Sequence, residues 1–448
     1  MNTRDLPMAD AALTPAQLDA HWVAFTGNRQ FKAQPRIVVG AQGCHYIDAQ
    51  GRQVFDGLSG LWTCGLGHGR EEIVRAIAAQ AGTLDYAPAF QFGHPLSFRL
   101  AERIVQKMPA GLDRVFFTGS GSEAADTALK MARAYWRLKG QASKTRLIGR
   151  AKGYHGVNFG GISVGGIVGN RKLYGEGVAA DHLPHTLLPQ NAFSRGQPEH
   201  GAHLADELLE LIALHDASTI AAVIVEPFSG SAGVIVPPQG YLQRLRRICD
   251  EHGILLIFDE VITGFGRAGA WTGAEAFGAK PDILTFAKQV TNGAVPMGGV
   301  VATSAIYDVF MAAGGPEYAI EFPHGYTYSA HPLACAAGLA TLDVLEREDA
   351  PQRVRELAPH FEAKVHTLRG ARHVTDIRNI GLAAGITLAA MPGEPARRPF
   401  EVAMRMWERG FYVRCGGDTL QLAPPFVTSP ADVDTLVNAL GDALAAQA

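Results

Sequence analysis

Lys288 and the Asp259-Glu260 pair are the residues of this 448-residue chain best suited to chemistry. The lysine stands in FAKQVTNGAVPMGG, a short segment flanked by glycines. The two acids close the apolar run ILLIF. A lysine amine held near a carbonyl compound can form a Schiff base with it. A carboxylate at the end of a buried strand can keep a ring nitrogen protonated, so that the ring draws electrons. That pairing is what a pyridoxal phosphate enzyme needs.

Other positions could complete such a site. Phe117-Thr-Gly-Ser-Gly-Ser-Glu runs from an apolar strand straight into a helix. Gly119 and Gly121 allow close backbone approach, Ser120 and Ser122 add hydroxyls, and Ser122 is placed to cap the helix. A helix N-terminus with free N–H groups accepts a phosphate; the alternative is an ordinary capped turn. Tyr154 follows the strand TRLIG and could stack on a planar ring or pack in the core. His155 could be a metal ligand or an acid/base group, against the commoner reading of a satisfied structural histidine. Glu226 ends IAAVIVE and points either to a sheet-edge site or to solvent. Arg414 could clamp a carboxylate, although most arginines are surface residues. Trp62, Phe25, Phe90 and Phe92 lie near Gly/Pro breaks and could wall a pocket or fill the core.

Two competing motifs fail on context. Gly264-Phe-Gly-Arg-Ala-Gly269 matches GxGxxG, but it does not follow its strand directly and no acidic ribose ligand comes after it. Asp259-Glu260 has no companion His/Asp cluster with ligand spacing, so no metal is expected.

Composition narrows the class. The chain is 47% hydrophobic and 19% charged, with a formal net charge of -3. Basic residues are scattered, which argues against nucleic-acid binding. Its five cysteines (Cys44, Cys64, Cys249, Cys335, Cys415) are odd in number and show no CxxC spacing. They read as reduced thiols in a cytoplasmic protein. The first residues, MNTRDLPMADAAL, carry Asp and Pro where a signal peptide needs an apolar run. No apolar stretch of about 18 residues is present, so no membrane span is expected.

The elements that must position these side chains follow a strand–helix alternation. Strands are expected at Arg114–Thr118, Thr145–Gly149, Ile220–Val225, Ile254–Phe258, Ile283–Phe286 and Gly299–Thr303. Helices are expected at Ser122–Lys139, His203–His215 and Gly240–His252. Short apolar strands between amphipathic helices imply a mostly parallel sheet covered on both faces. Upstream, Thr14 caps a short helix and GCHYIDAQGRQVFDG forms a hairpin around Ala49-Gln50-Gly51. Downstream of the helix HPLACAAGLATLDVL the pattern becomes α+β. The expected division is residues 1–70 as an N-terminal arm and part of a small domain, 71–330 as a large domain, and 331–448 as the rest of the small domain.

The block IFDEVITGFGRAG…KPDILTFAKQVTNG resembles the signature of the class III (subgroup II) aminotransferases. GSGSEAADTALKMAR, GYHG, VEPFSGSAGV and GYTYSAHPLACAAG resemble further family blocks, in family order. LSGLWTCGLGH, LDYAPAFQFGHPLSF, YHGVNFGGISVGG and FYVRCGGDTLQLAPPF look most like the ω-amino acid:pyruvate (β-alanine–pyruvate) group. The resemblance spans residues from about 20 to 440.

It implies a fold-type I homodimer or dimer of dimers with sites shared between subunits. It also implies pyridoxal 5′-phosphate as cofactor, an ω-amino acid or primary amine as donor, and pyruvate as acceptor. On the family pattern Lys288 is the Schiff-base lysine and Asp259 the ring-nitrogen partner. Tyr154 and Val261 sandwich the ring. Ser120, Gly121 and Ser122 hold the phosphate, with Thr327 from the other subunit. Glu226 is the active-site carboxylate and Arg414 the movable clamp. Trp62 and Tyr154 line the pocket, with Phe90 at its edge from the partner chain. Related members that use taurine, γ-aminobutyrate or diamines are the alternative. Gly119 stands where Asn or Asp is expected, and Cys415 where a bulkier aromatic is expected; both bear on substrate range.

Overall fold

The computed structural model describes residues 13–175, 177–313 and 315–447. The start of the expected N-terminal arm, residues 1–12, lies outside them.

Seven strands form the main sheet. Their spatial order is Leu112–Thr118, Gly298–Thr303, Ile283–Ala287, Leu255–Asp259, Ile220–Val225, Arg146–Arg150 and Ala180–Leu183. Every residue of Ile220–Val225, Leu255–Asp259 and Ile283–Ala287 is buried. Continuous burial is the consequence of covering a parallel sheet on both faces. The helix Tyr241–Glu251 shows how the cover works: it buries Tyr241, Leu242, Leu245, Ile248 and Cys249, one stripe of a 3.6-residue period. Gly298–Thr303 runs antiparallel to both neighbours. Only the ten residues 288–297 separate it from the preceding strand, too few for a parallel crossover. The edge strand Ala180–Leu183 was not expected: ADHL is short and half polar, so no apolar run marks it.

Because the other six strands run the same way, their C-terminal ends share one edge of the sheet. Ser120, Tyr154, Glu226, Asp259 and Lys288 all lie at or just beyond those ends. Ligands of open α/β sheets bind at that edge.

Two four-stranded sheets complete the fold. In one, the hairpin strands His45–Asp48 and Gln53–Asp56 pair as expected around a turn where Gly51 has φ 77°. Val38–Gln42 flanks them on one side, and Phe411–Tyr412 pairs parallel with Gln53–Asp56 on the other. In the other sheet the order is Val374–Ile380, Ala383–Leu388, Thr419–Leu422 and Arg414–Gly416. The helices Pro332–Arg347, Ala350–Val365 and Pro430–Ala445 pack beside them. Thr14 caps the helix Pro15–Ala20 in a reciprocal capping box with Gln17.

Candidate active site

Seven expected site residues meet in one cavity: Gly121, Ser122, Tyr154, Glu226, Asp259, Val261 and Lys288. Gly156 and Ile262 complete its lining.

Lys288 follows Ile283–Ala287 in the left-handed region, at φ 52°. For a residue with a Cβ this costs of order 1–3 kcal/mol, and such strain gathers at functional sites. The surroundings hold the segment in place. Gln289 Oε1 accepts from the Gly65 N–H at 2.7 Å, Asn292 Oδ1 accepts from the Leu66 N–H at 2.9 Å, and Asn292 Nδ2 donates to the Gly67 carbonyl at 2.8 Å. The lysine is pushed down to about 8 by burial. The carboxylates of Asp259 and Glu226 oppose that shift, while the Arg414 cation adds to it.

Asp259 is fixed by three contacts. Oδ1 accepts from the Val261 N–H at 3.2 Å and from the Thr285 hydroxyl at 3.1 Å. Oδ2 lies 2.8 Å from His155 Nδ1. His155 is buried, and its other nitrogen, Nε2, has no protein partner. Sequence reasoning weighed this histidine as a metal or acid/base group against a structural place, and did not pair it with Asp259. Its position five residues past the end of Arg146–Arg150, in GYHG, was the signal that it could reach the same sheet edge as the aspartate.

Glu226 is buried rather than solvent-facing. Its carboxylate accepts from the Tyr154 N–H at 3.0 Å and the Gly230 N–H at 3.2 Å. Burial pushes it up to about 7; His155 works against that shift and Asp259 adds to it. Arg150 anchors the same corner, donating to the Glu226 carbonyl and to Ser229 Oγ, each at 2.9 Å. Burial also raises Tyr154, with Arg414 opposing and the two carboxylates adding.

On the opposite wall the helix Gly121–Leu138 begins. Ser120, not Ser122, is its N-cap: Ser120 Oγ accepts from the Glu123 N–H at 3.2 Å. Ser122 Oγ instead accepts from the Val157 N–H at 3.1 Å. The cap must be the last non-helical residue, and the helix starts one residue earlier than expected, at Gly121. Gly119 tolerates its position because its N–H donates to Glu123 Oε2 at 2.6 Å. A Cβ built on Gly121 would stand 3.0 Å from Val261 Cγ1, so glycine lets the helix start close onto the opposite wall. The first N–H groups of a helix lack intrahelical partners and face such a cavity as anion donors. A phosphate at this end and a ring nitrogen at Asp259 fit the donor set and the slot between Tyr154 and Val261.

The remaining expected residues sit outside the cavity lining. Arg414 is half-buried at the head of Arg414–Gly416, near enough for its charge to act on Lys288 and Tyr154. Trp62 is buried against Phe228, with ring centroids 6.5 Å apart. Thr327 and Phe90 are exposed on one surface: Phe90 lies over Gly325, and Tyr86 Oη donates to the Thr327 carbonyl at 3.1 Å. The GxGxxG arginine, Arg267, turns away from any nucleotide. It is buried and donates to the carbonyls of Leu382 and Pro424 and to Ser59 Oγ. Glu260, the neighbour of Asp259, is likewise structural and accepts from the N–H groups of Gly273 and Ala274. Among the described residues no group of three or more His, Cys, Asp or Glu could hold a metal ion.

A lysine, a ring-side carboxylate and a helix N-terminus gathered at the C-terminal edge of a doubly covered α/β sheet define a fold-type I transferase site. The aminotransferase class-III family model matches residues 26–444, and the chain belongs to that family. It is 62% identical over 440 residues to the β-alanine–pyruvate aminotransferase of Pseudomonas aeruginosa, covering 98% of each chain. It is 61% identical to the ω-amino acid–pyruvate aminotransferase of Pseudomonas putida, covering 96% of each. A solved amine transaminase from an uncultivated Pseudomonas species, in its PLP-bound form, superposes with a TM-score of 0.88. The two share 35% identity, over 98% of this chain and all of that one.

Proposed function

We propose that this protein uses pyridoxal 5′-phosphate to transfer the amino group of an ω-amino acid such as β-alanine to pyruvate, giving alanine and a semialdehyde. Primary amines that give ketones would serve as further donors. The observation that carries the reading is the convergence of Lys288, Asp259 and the Gly121–Ser122 helix start on one cavity. The substrate class is supported by the names of relatives at 61–62% identity; a relative named for putrescine shares 36%.

When bound, the cofactor supplies an aldehyde that condenses with amines and a pyridine ring that draws electrons from the attached carbon. The protein does the rest. Ser120, Gly121 and Ser122 bind the phosphate, and the partner subunit's Thr327 joins them. Tyr154 and Val261 hold the ring from its two faces. Asp259 keeps the proton on the ring nitrogen, and His155 holds Asp259 in place. Lys288, pushed down to about 8, is more often neutral at physiological pH than an ordinary lysine. Its amine would hold the bound cofactor, and would then be free to move a proton at the donor's amine-bearing carbon. Arg414 clamps a carboxylate through its planar fork and swings aside for an apolar group. Glu226 supplies the nearby carboxylate. Trp62 and the partner subunit's Phe90 complete the pocket walls.

Assembly as a homodimer with shared sites is part of the proposal. The exposed Tyr86 and Tyr328, with ring centroids 6.2 Å apart, and Phe90 over Gly325 support it, because apolar patches mark interfaces. Five unpaired cysteines support a cytoplasmic setting. No helix among the described residues is long and apolar enough to cross a membrane.

The test is the absorbance spectrum of the holoenzyme, followed as β-alanine and then pyruvate are added. The cofactor band should bleach with the first and return with the second, with alanine formed. A band unmoved by β-alanine in an enzyme that other donors bleach would overturn the substrate assignment.

A further inference from the structure

A second group of reactive side chains lies outside the cavity. Asp56, fully buried, accepts from the Leu58 N–H at 3.1 Å and from the Gly60 N–H. Its Oδ2 also lies 2.8 Å from His68 Nε2. The sulfur of Cys64 lies close enough to the same imidazole to act on its charge. A thiol thus sits beside an imidazole that a buried carboxylate holds in place, and a protonated imidazole at such a distance favours the thiolate. Tyr46 packs on the imidazole with ring centroids 4.5 Å apart, and Thr63 Oγ1 lies 3.2 Å from Cys64 Sγ. The buried Arg267 guanidinium is close enough to feel the sulfur as well. Reactive cysteines occur in such electropositive, part-exposed surroundings, and Cys64 is half-buried.

His68 is pushed up to about 9: burial works against its charge, while Asp56 and Cys64 outweigh it. The imidazole therefore carries a proton at neutral pH. The other four thiols are all pushed up by burial, Cys249 and Cys335 to about 12.

The sulfur also touches the machinery. Cβ atoms built on Gly60 and Gly293 would stand 3.2 and 3.3 Å from Cys64 Sγ. Gly60 belongs to the turn carrying Trp62, where Ser59, Gly60 and Trp62 all have positive φ. Gly293 ends the Lys288 segment, its N–H donating to the Lys288 carbonyl at 3.3 Å. Gly65, Leu66 and Gly67 tie the next residues to that same segment. An atom added to Cys64 on that side would crowd the Gly60 turn or the end of the Lys288 segment.

We propose that Cys64, His68 and Asp56 form an oxidation-sensitive thiol site, at which a small hydroperoxide converts Cys64 to a sulfenic acid and lowers transaminase activity. The sulfur, as thiolate, attacks one peroxide oxygen; the S–O bond forms as the O–O bond breaks. Hydroxide leaves and takes the His68 proton, giving water. Sulfur loses two electrons and the peroxide gains them. A small thiol reverses the change.

The experiment treats the full-length holoenzyme with hydrogen peroxide and dimedone, which traps sulfenic acids, and reads each cysteine by peptide mass spectrometry. Cys64 should label at least tenfold faster than Cys44 or Cys415. In a parallel sample without dimedone, activity should fall with peroxide and return with dithiothreitol. Cys64→Ser should resist the same peroxide exposure. His68→Gln should slow Cys64 labelling about tenfold; if that variant does not fold, the ranking of the five cysteines in the wild-type protein decides. Cys64 labelling no faster than Cys44 or Cys415 would overturn the site. Equal peroxide inactivation of Cys64→Ser and wild type would overturn its link to activity.

Discussion

Replacing Asp259 with Asn removes a charge while keeping the shape, and the contacts around the carboxylate determine the outcome. Oδ1 accepts from Val261 and Thr285, and Oδ2 meets His155 Nδ1. An Asn that keeps its oxygen toward Val261 and Thr285 turns its NH2 toward His155. Nδ1 must then accept, and the ring hydrogen moves to Nε2, which is buried without a protein partner. An Asn in the flipped orientation satisfies His155 but faces NH2 against two donors. Either way one buried group goes unmatched, at a cost of about 1–3 kcal/mol of stability. The larger effect is on rate. An opposite charge about 4 Å away, at an effective dielectric near 20, contributes about 4 kcal/mol toward holding a proton on the ring nitrogen. At about 1.4 kcal/mol per tenfold, turnover should fall roughly a thousandfold. The assay pairs steady-state alanine formation with single-turnover bleaching of the cofactor by β-alanine. Circular dichroism checks that the variant is folded. A folded, cofactor-loaded Asp259→Asn protein within tenfold of wild type would refute the assignment of Asp259 to the ring nitrogen.

Lys288→Ala should retain cofactor through the phosphate cradle, seen by equilibrium dialysis, yet lose essentially all turnover; more than a small residual rate sinks the role of Lys288. Arg414→Ala should impair β-alanine and pyruvate by about 2–4 kcal/mol, the worth of a charge-assisted pair in a partly dry pocket. It should leave an arylalkyl amine half-reaction little changed, and Arg414→Lys should recover only part; equal losses across donors would make Arg414 structural. Lys288 is held at about 8 in the fold against 10.5 unfolded, so between those values the unfolded chain binds more protons and stability rises with pH. Apo-protein denaturation midpoints from pH 7.5 to 10.5 should show that rise relative to Lys288→Met, and a flat difference would contradict it. If the partner subunit's Thr327 binds phosphate, cofactor should tighten the dimer by mass action; sedimentation of a fully active monomeric holoenzyme would rule out shared sites.

Much of the fold and site was legible where one physical signal dominated. Ile220–Val225, Leu255–Asp259 and Ile283–Ala287 are unbroken apolar runs, and their ends place Glu226, Asp259 and Lys288 on one edge. The features that escaped were set by partners distant in sequence. Ala180–Leu183 is a strand because Arg146–Arg150 pairs with it, not because ADHL prefers to be one. His155 meets Asp259 across 104 positions, which a local reading of GYHG does not reach. Whether Ser120 or Ser122 caps the helix depended on a one-residue difference in its start. The surface shared by Phe90 and Thr327 forms between segments more than two hundred residues apart.

The bonds of Arg267 join parts of this protein that are far apart in sequence. Its guanidinium is buried in a loop that follows the Asp259 strand, yet two of its acceptors are the carbonyls of Leu382 and Pro424. While only the first two-thirds of the chain exist, Ser59 Oγ can accept from that cation but the other two acceptors are missing. The loop beside the active edge of the central sheet is thus tied to backbone from the far end of the chain. A chain that lacks Pro424 therefore leaves a buried guanidinium without one of its three acceptors, at the cost of an unmatched buried donor.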